Sequence, residues 1–234
     1  MKILALESSA RAASCAVLAD GEVLASAWQA TGLTHSRTLL PMAEDMLKNC
    51  ELSVQDMDAI AVAAGPGSFT GLRIGAAAVK GLAWAAEKPC VPVSTLEAMA
   101  WPLAHLEGLI VCAMDARRQQ IYNAVFLAEG GVLTRLREDR AVSLAEAAGD
   151  LAEMDDGPMY IVGDGAEMCC NYLRLQGIAC QMAPVHLRLQ SAVGVGMAAQ
   201  RLWPDGAVTA QDLSLTYLRL SQAERERLAR EQNG

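Results

Sequence analysis

Leu4-Ala5-Leu6-Glu7-Ser8-Ser9 is a short apolar run that ends in a carboxylate, and Cys112-Ala113-Met114-Asp115-Ala116-Arg117 repeats that form in the second half of the chain. The parallel continues outward. Cys15-Ala16-Val17-Leu18 aligns with Asn123-Ala124-Val125-Phe126, and Gly21-Glu22-Val23-Leu24 with Gly130-Gly131-Val132-Leu133 after a one-residue insertion. Each half then offers a strand ending in an acid, a second strand, a glycine turn and a third strand. Chance likeness between apolar β runs is the competing reading, since such patterns resemble one another. On the repeat reading, Glu7 and Asp115 are equivalent positions. The expected class is α/β, with two similar lobes and a cleft between them: an N-terminal lobe over 1–107, a C-terminal lobe over 108–220 and a charged tail over 221–234.

The rest of the chain punctuates this plan. Asp20-Gly21 between apolar runs is a hairpin signal, because a type I′ turn needs positive φ at both central residues. Leu39, Ala43, Met46, Leu47 and Cys50 fall at helical spacing from Ser36, with Pro41 either near the first turn or bending the helix. Ala59 to Ala63 reads as a buried strand, Leu72 to Ala86 as a small-residue helix, Cys90 to Val93 as a strand and Leu96 to Leu106 as a helix. Ser143-Leu144-Ala145-Glu146 has the form of a capping box. A strand at Met159 to Val162, a helix closed by Gly177 and a helix from Gln190 to Trp203 follow. Glu224-Arg225-Glu226-Arg227 belongs to a loosely held tail.

Hydrophobic residues make up 53% of the 234-residue chain and charged residues 20%, which is too apolar for a disordered chain. A chain of this length buries roughly 70% of its unfolded surface, so the core needs no disulfide or metal staple. Basic residues number 19 against 27 acidic ones, for a net charge of -8, and no three basic residues are adjacent. That balance argues against a protein that grips nucleic acid alone, because neutralising phosphates takes clustered Lys and Arg. Seven cysteines without a C-x-x-C pair or a histidine at metal spacing read as reduced buried thiols of a cytosolic protein. The first apolar run meets Glu7 after four residues, too few for a signal peptide. No stretch approaches the ~18 apolar residues of a membrane span. A cytoplasmic protein is expected.

Chemistry concentrates in Gly65-Pro66-Gly67-Ser68-Phe69-Thr70-Gly71-Leu72-Arg73-Ile74-Gly75, which joins a buried strand to a helix. Its glycines permit close backbone approach, and the helix start offers unpaired N–H groups to an anion. A tight turn whose glycines serve packing is the other reading. The segment lacks the Gly-Lys-Ser/Thr ending of a P-loop and the spacing of a dinucleotide fingerprint. Candidate nucleotide or phosphate contacts are Ser8, Gly65, Gly67, Ser68 and Asp115, with Arg73 and Arg117-Arg118 nearby in sequence. His35, His105 and His186 are far apart in sequence and tied to no Ser or Cys nucleophile, so no peptidase constellation is read. Two stripes, Leu39-Ala43-Met46 and Gly71-Gly75-Ala78 with Gly81, are candidate partner-binding seams; each stripe facing its own sheet is the alternative.

Together Glu7-Ser8-Ser9, His35-Ser36 with Leu39-Leu40-Pro41, the long glycine segment, Val93-Ser94-Thr95-Leu96, Asp115-Ala116-Arg117-Arg118 and Tyr217-Leu218-Arg219 resemble the TsaB family of bacterial tRNA threonylcarbamoyladenosine biosynthesis proteins. The resemblance spans nearly the whole chain and is weakest from Ala141 to Ala210. It implies two ribonuclease-H-like lobes of the actin-like ATPase superfamily. It also implies a non-catalytic subunit that docks TsaD, the catalytic paralogue, for threonylcarbamoyl transfer to the adenosine beside the tRNA anticodon. TsaE, an ATPase, is an implied partner, as is a second copy of the chain when it is alone. ATP or ADP is expected only at the interface with partners, tRNA only through the complex, and no metal. The family's first strand usually ends in Asp where this chain has Glu7, and the His-x-x-x-His metal pair of the catalytic paralogue is replaced by Ser94-Thr95-Leu96-Glu97-Ala98-Met99. An actin-like small-molecule kinase or ATPase, with Asp115 as metal-associated carboxylate, is the alternative.

Overall fold

A computed structural model describes residues 1–154 and 157–219, so the charged tail expected over 221–234 lies outside the described residues. The first sheet is built from β1 (Lys2–Glu7), β2 (Ala13–Ala19), β3 (Glu22–Gln29), β4 (Ala59–Gly65) and β5 (Cys90–Ser94), in the order β3-β2-β1-β4-β5. The second uses β6 (Gly108–Asp115), β7 (Gln120–Glu129), β8 (Val132–Ser143), β9 (Met159–Val162) and β10 (Gln181–Met182), in the order β10-β9-β6-β7-β8. In each sheet the opening strand pairs antiparallel with the second, the second antiparallel with the third, and the opening strand parallel with the fourth. The repeat in the sequence is a repeat of topology: two ribonuclease-H-like lobes, as the resemblance implies for the actin-like ATPase superfamily.

Between and outside the sheets lie α1 (His35–Asn49), α2 (Phe69–Ala86), α3 (Thr95–Ala100), α4 (Leu144–Ala152), α5 (Ala166–Leu175), the single turn α6 (Val185–Arg188) and α7 (Ala192–Leu202). Side chains alternate across a strand, so β1 serves two cores. Leu4 and Leu6 pack under α1 and α2, whereas Ile3 and Ala5 face inward to α7 and the Trp101–Leu103 turn that follows α3. The other face of that turn, with Leu96 and Met99 of α3, packs on Ile110, Cys112 and Phe126 of the second sheet. α4 and α5 cover the far side of that sheet. The result is a stack of helices, sheet, helices, sheet and helices. The expected helix Leu96 to Leu106 is shorter because Pro102 supplies no N–H, and the chain tightens into a 3₁₀ turn there.

Residues beyond Ser191 do not stay with the second sheet. Val195, Ala198 and Ala199 of α7 pack on Ile3, Ala5, Ala16 and Leu18, and Gly194 and Gly196 bring the helix against Ala98 and Leu18 without a Cβ in the way. Val208 then bridges to Cys90 of β5, and the Thr216 N–H donates to the Ala64 carbonyl of β4. The C-terminal lobe expected over 108–220 is corrected accordingly: it closes before α7, and the returning chain completes the N-terminal lobe. The reason is small-residue packing, which leaves α7 apolar on more than the one face its periodicity shows. Among the described residues no helix is long and apolar enough to cross a membrane.

Candidate functional site

A cleft of about 540 Å³ opens between the lobes where β1 and β6 end. Ser9, Arg11, Gly67 and Ser68 line its N-terminal side, and Asp115, Arg117 and Asp164 its C-terminal side. The segment Thr216 to Arg219 runs along it from one lobe to the other: Tyr217 stacks on Phe69 with ring centroids 4.7 Å apart, and the Arg219 guanidinium donates to the Ala116 carbonyl. Arg73 lies over the Phe69 ring at 3.9 Å and reaches the Tyr217 hydroxyl at 3.4 Å, so its charge is held against the aromatic pair.

Asp115 sits on an open turn. It accepts the Arg117 N–H at 2.7 Å, and its own N–H donates to Asp164 Oδ1 at 3.1 Å. Burial pushes the Asp164 carboxyl above its ordinary range, and that N–H bond pulls it back. Arg117, Arg118 and Gln119 follow with φ of 67°, 56° and 59°, three successive non-glycine residues in the left-handed region at the mouth of the cleft.

Glu7 ends the equivalent strand and does something else. It is fully buried, does not line the cleft, and accepts the Ser9 N–H through Oε1 at 2.5 Å, while Oε2 has no partner among the described residues. Burial pushes its pKa up to about 7. Ser9 follows into the cleft with a buried hydroxyl that also has no partner among the described residues.

Of the residues the sequence proposed for phosphate, Gly67, Ser68 and Asp115 line the cleft; Ser8 and Gly65 do not. Ser8 is buried beneath α2, its hydroxyl donating to the Gly71 carbonyl at 2.9 Å, and Gly65, at φ 125°, abuts the Thr216 carbonyl. Ser68 caps α2 by accepting the Gly71 N–H at 3.3 Å. Sequence reasoning missed Asp164 and Arg11 as cleft residues. Val162-Gly163-Asp164-Gly165-Ala166, a strand end, two glycines and a helix start, is the signal that marks Asp164.

The expected partner seams require correction. Leu39, Ala43 and Met46 are 1%, 3% and 6% exposed and pack on the chain's own first sheet. Gly71 and Gly75 rest on Ser8, and Ala78 lies in the same core. An i, i+4, i+7 apolar stripe is what any helix needs to cover its sheet, and within this chain these residues cover theirs. The exposed face of α2 is the next stripe round: Ala77, Gly81, Trp84 and Ala85, with the Trp84 side chain 75% exposed and open space over Gly81. Leu40, on α1, is exposed too.

A second set of contacts joins the lobes away from the cleft. Arg135 on β8 pairs with Glu97 of α3 at 2.8 Å and with Asp139 at 2.6 Å, while the Ser94 hydroxyl at the end of β5 donates to Asp139 at 2.5 Å.

Twin five-stranded sheets of one topology with a cleft at their paired strand ends make this a two-lobed α/β protein. The chain belongs to the family described as TsaD, tRNA N6-adenosine threonylcarbamoyltransferase, whose model matches residues 29–212. It is 32% identical to the tRNA threonylcarbamoyladenosine biosynthesis protein TsaB of Bacillus subtilis (strain 168), over 96% of each chain. To the tRNA N6-adenosine threonylcarbamoyltransferase of Bordetella petrii it is 33% identical over 56% of this chain but only 36% of that enzyme. Among solved structures, YeaZ from Pseudomonas aeruginosa superimposes with a TM-score of 0.78 at 27% identity, covering 93% of this chain and 99% of that one.

Proposed function

We propose that this chain is a cytoplasmic, non-catalytic subunit of tRNA threonylcarbamoyladenosine synthesis that docks a TsaD-like catalytic paralogue. The observation that carries the reading is end-to-end kinship with a TsaB protein, set against a match to barely a third of a threonylcarbamoyltransferase. Docking uses the outer faces of α1 and α2, where Trp84 and Leu40 expose apolar surface and Gly81 leaves room for a close approach. The same surface pairs two copies when the paralogue is missing. A TsaE-like ATPase joins the assembly, and tRNA meets the chain only through it.

The cleft fits a phosphate-bearing ligand such as ATP or ADP on one wall. The start of α2 and Arg11 supply N–H and guanidinium donors to an anion. Its carboxylates, Asp115 and Asp164, both belong to the opposite wall. The kinase or ATPase alternative needs turnover from this chain alone. The deciding experiment is threonylcarbamoyl transfer to tRNA with purified TsaD-like and TsaE-like partners, with and without this chain. Transfer should depend on its presence, and the isolated chain with ATP and magnesium should hydrolyse at background rate. Steady ATP turnover by the isolated chain would replace the docking reading with an enzyme.

A further inference from the structure

Three glycines of the long segment, Gly67 just before α2 and Gly71 and Gly75 one turn apart within it, rest on the same two residues. A Cβ on Gly67 would stand 2.5 Å from the Ser9 carbonyl, one on Gly71 would strike the Ser8 carbonyl, and one on Gly75 would stand 2.6 Å from Ser8 Oγ. Two hydrogen bonds fasten the contact: the Ser68 N–H donates to the Ser9 carbonyl at 2.6 Å, and the Ser8 hydroxyl to the Gly71 carbonyl at 2.9 Å. The glycine row is therefore a bearing surface cut to the shape of the Ser8-Ser9 turn. What shapes that turn is the carboxyl of Glu7, buried at its root and accepting the Ser9 N–H.

We infer that Glu7 is a positioning residue: by holding the Ser8-Ser9 turn it seats the first two turns of α2, and with them the helix that carries Trp84. An acceptor of the right shape is what the role demands, so glutamine can replace it and an apolar side chain of equal length cannot. The seat itself stands on the contacts above; its bearing on docking rests on the reading of α2 as the docking helix.

The test compares Glu7→Met and Glu7→Gln in the full chain, with amide hydrogen exchange as the local readout. In Glu7→Met the Ser9 and Ser68 amides should exchange on the order of tenfold faster, the loss of one hydrogen bond's worth of protection, while the β4 amide of Val62 stays as protected as in the wild type. Glu7→Gln should match the wild type at all three. Should Glu7→Met fail to fold, Glu7→Gln alone still decides through the Ser9 amide, and Ser8→Ala, which removes only the bond to Gly71, should loosen the Gly71 to Gly75 amides. Wild-type protection of Ser9 and Ser68 in Glu7→Met, or exposure of Ser9 in Glu7→Gln, would overturn the inference. Pairing with the TsaD-like protein is measured on the same samples. A loosened seat with undiminished pairing removes α2 from the docking surface and leaves the seat standing, whereas weakened pairing on an intact seat counts against Glu7 as its cause.

Discussion

The ends of β1 and β6 are the same place in two copies of one topology, and they treat their acids in opposite ways. Glu7 is folded back into the protein, its pKa raised by burial, and bonded to its own turn; Asp115 stands in the open beside a left-handed turn and shares the cleft with Asp164. The two lobes share a strand order and differ in what their strand ends do. One lobe uses its strand end to seat a helix, and the other uses it to face whatever enters the cleft. The same contrast of inside against outside separates Met46 from Trp84, two residues of adjoining helices that the sequence does not distinguish by type.

The sharpest way to break the comparison is at Met46. Met46→Asp places a charge in the core beneath α1 and should cost about 4 kcal/mol, abolishing the cooperative urea transition at 37 °C. A Met46→Asp protein that stays folded and merely pairs less well would put that residue back on the surface.

Next in size is the pH dependence from Glu7. Its pKa is raised by burial from 4.5 to about 7 in the folded protein, so the folded state binds the proton more tightly than the unfolded one. Its contribution is fully present below pH 4.5 and is lost as pH rises to about 7, a decline of about 3 kcal/mol at 1.36 kcal/mol per unit. Glu7→Gln should flatten that part of the stability curve, measured by denaturant titration at pH 4.5, 6 and 8. A wild-type curve already flat across this window would show that the carboxyl is ionised in the folded protein at low pH.

Trp84→Asp tests the outside. Losing an exposed aromatic anchor should weaken pairing with the TsaD-like protein by about 2 kcal/mol, read by calorimetry, with the melting temperature unmoved. Equal affinity for both proteins would move docking elsewhere. Smallest of all, Asp115→Ala gives up one hydrogen bond on an exposed turn and should cost about 1 kcal/mol or less, leaving threonylcarbamoyl transfer in the assembled complex nearly unchanged. A drop of several orders of magnitude with pairing intact would make the cleft catalytic.

The duplicated strands, the hairpin at Asp20-Gly21, the capping box at Ser143 and the strand–glycine–helix join at Gly65 were legible because each is a local pattern with a local cause. What the sequence hid was direction. Leu39, Ala43 and Met46 carry the periodicity of a buried face and of a docking face alike, and only the sheet beneath α1 decides between them. The glycine row was visible as small residues, but its object, the Ser8-Ser9 turn, lies some sixty positions earlier in the chain. The return of α7 to the first lobe was equally out of reach, since a helix apolar on two faces announces burial without naming its neighbours.

The contacts of Arg135 bear on motion. Two side-chain bonds tie β8 to the start of α3, the stretch from Thr216 to Arg219 spans the opposite margin, and α7 is wedged against the first sheet beside Leu133 of the second. These three moorings join the two lobes at separate places. Opening or closing the cleft would strain these contacts, so small-angle scattering should return the same radius of gyration with and without millimolar ADP, and a measurable contraction would show that a mooring gives way. Unchanged scattering would make the space between the lobes a fixed notch, one that whatever enters it must already be shaped to fit.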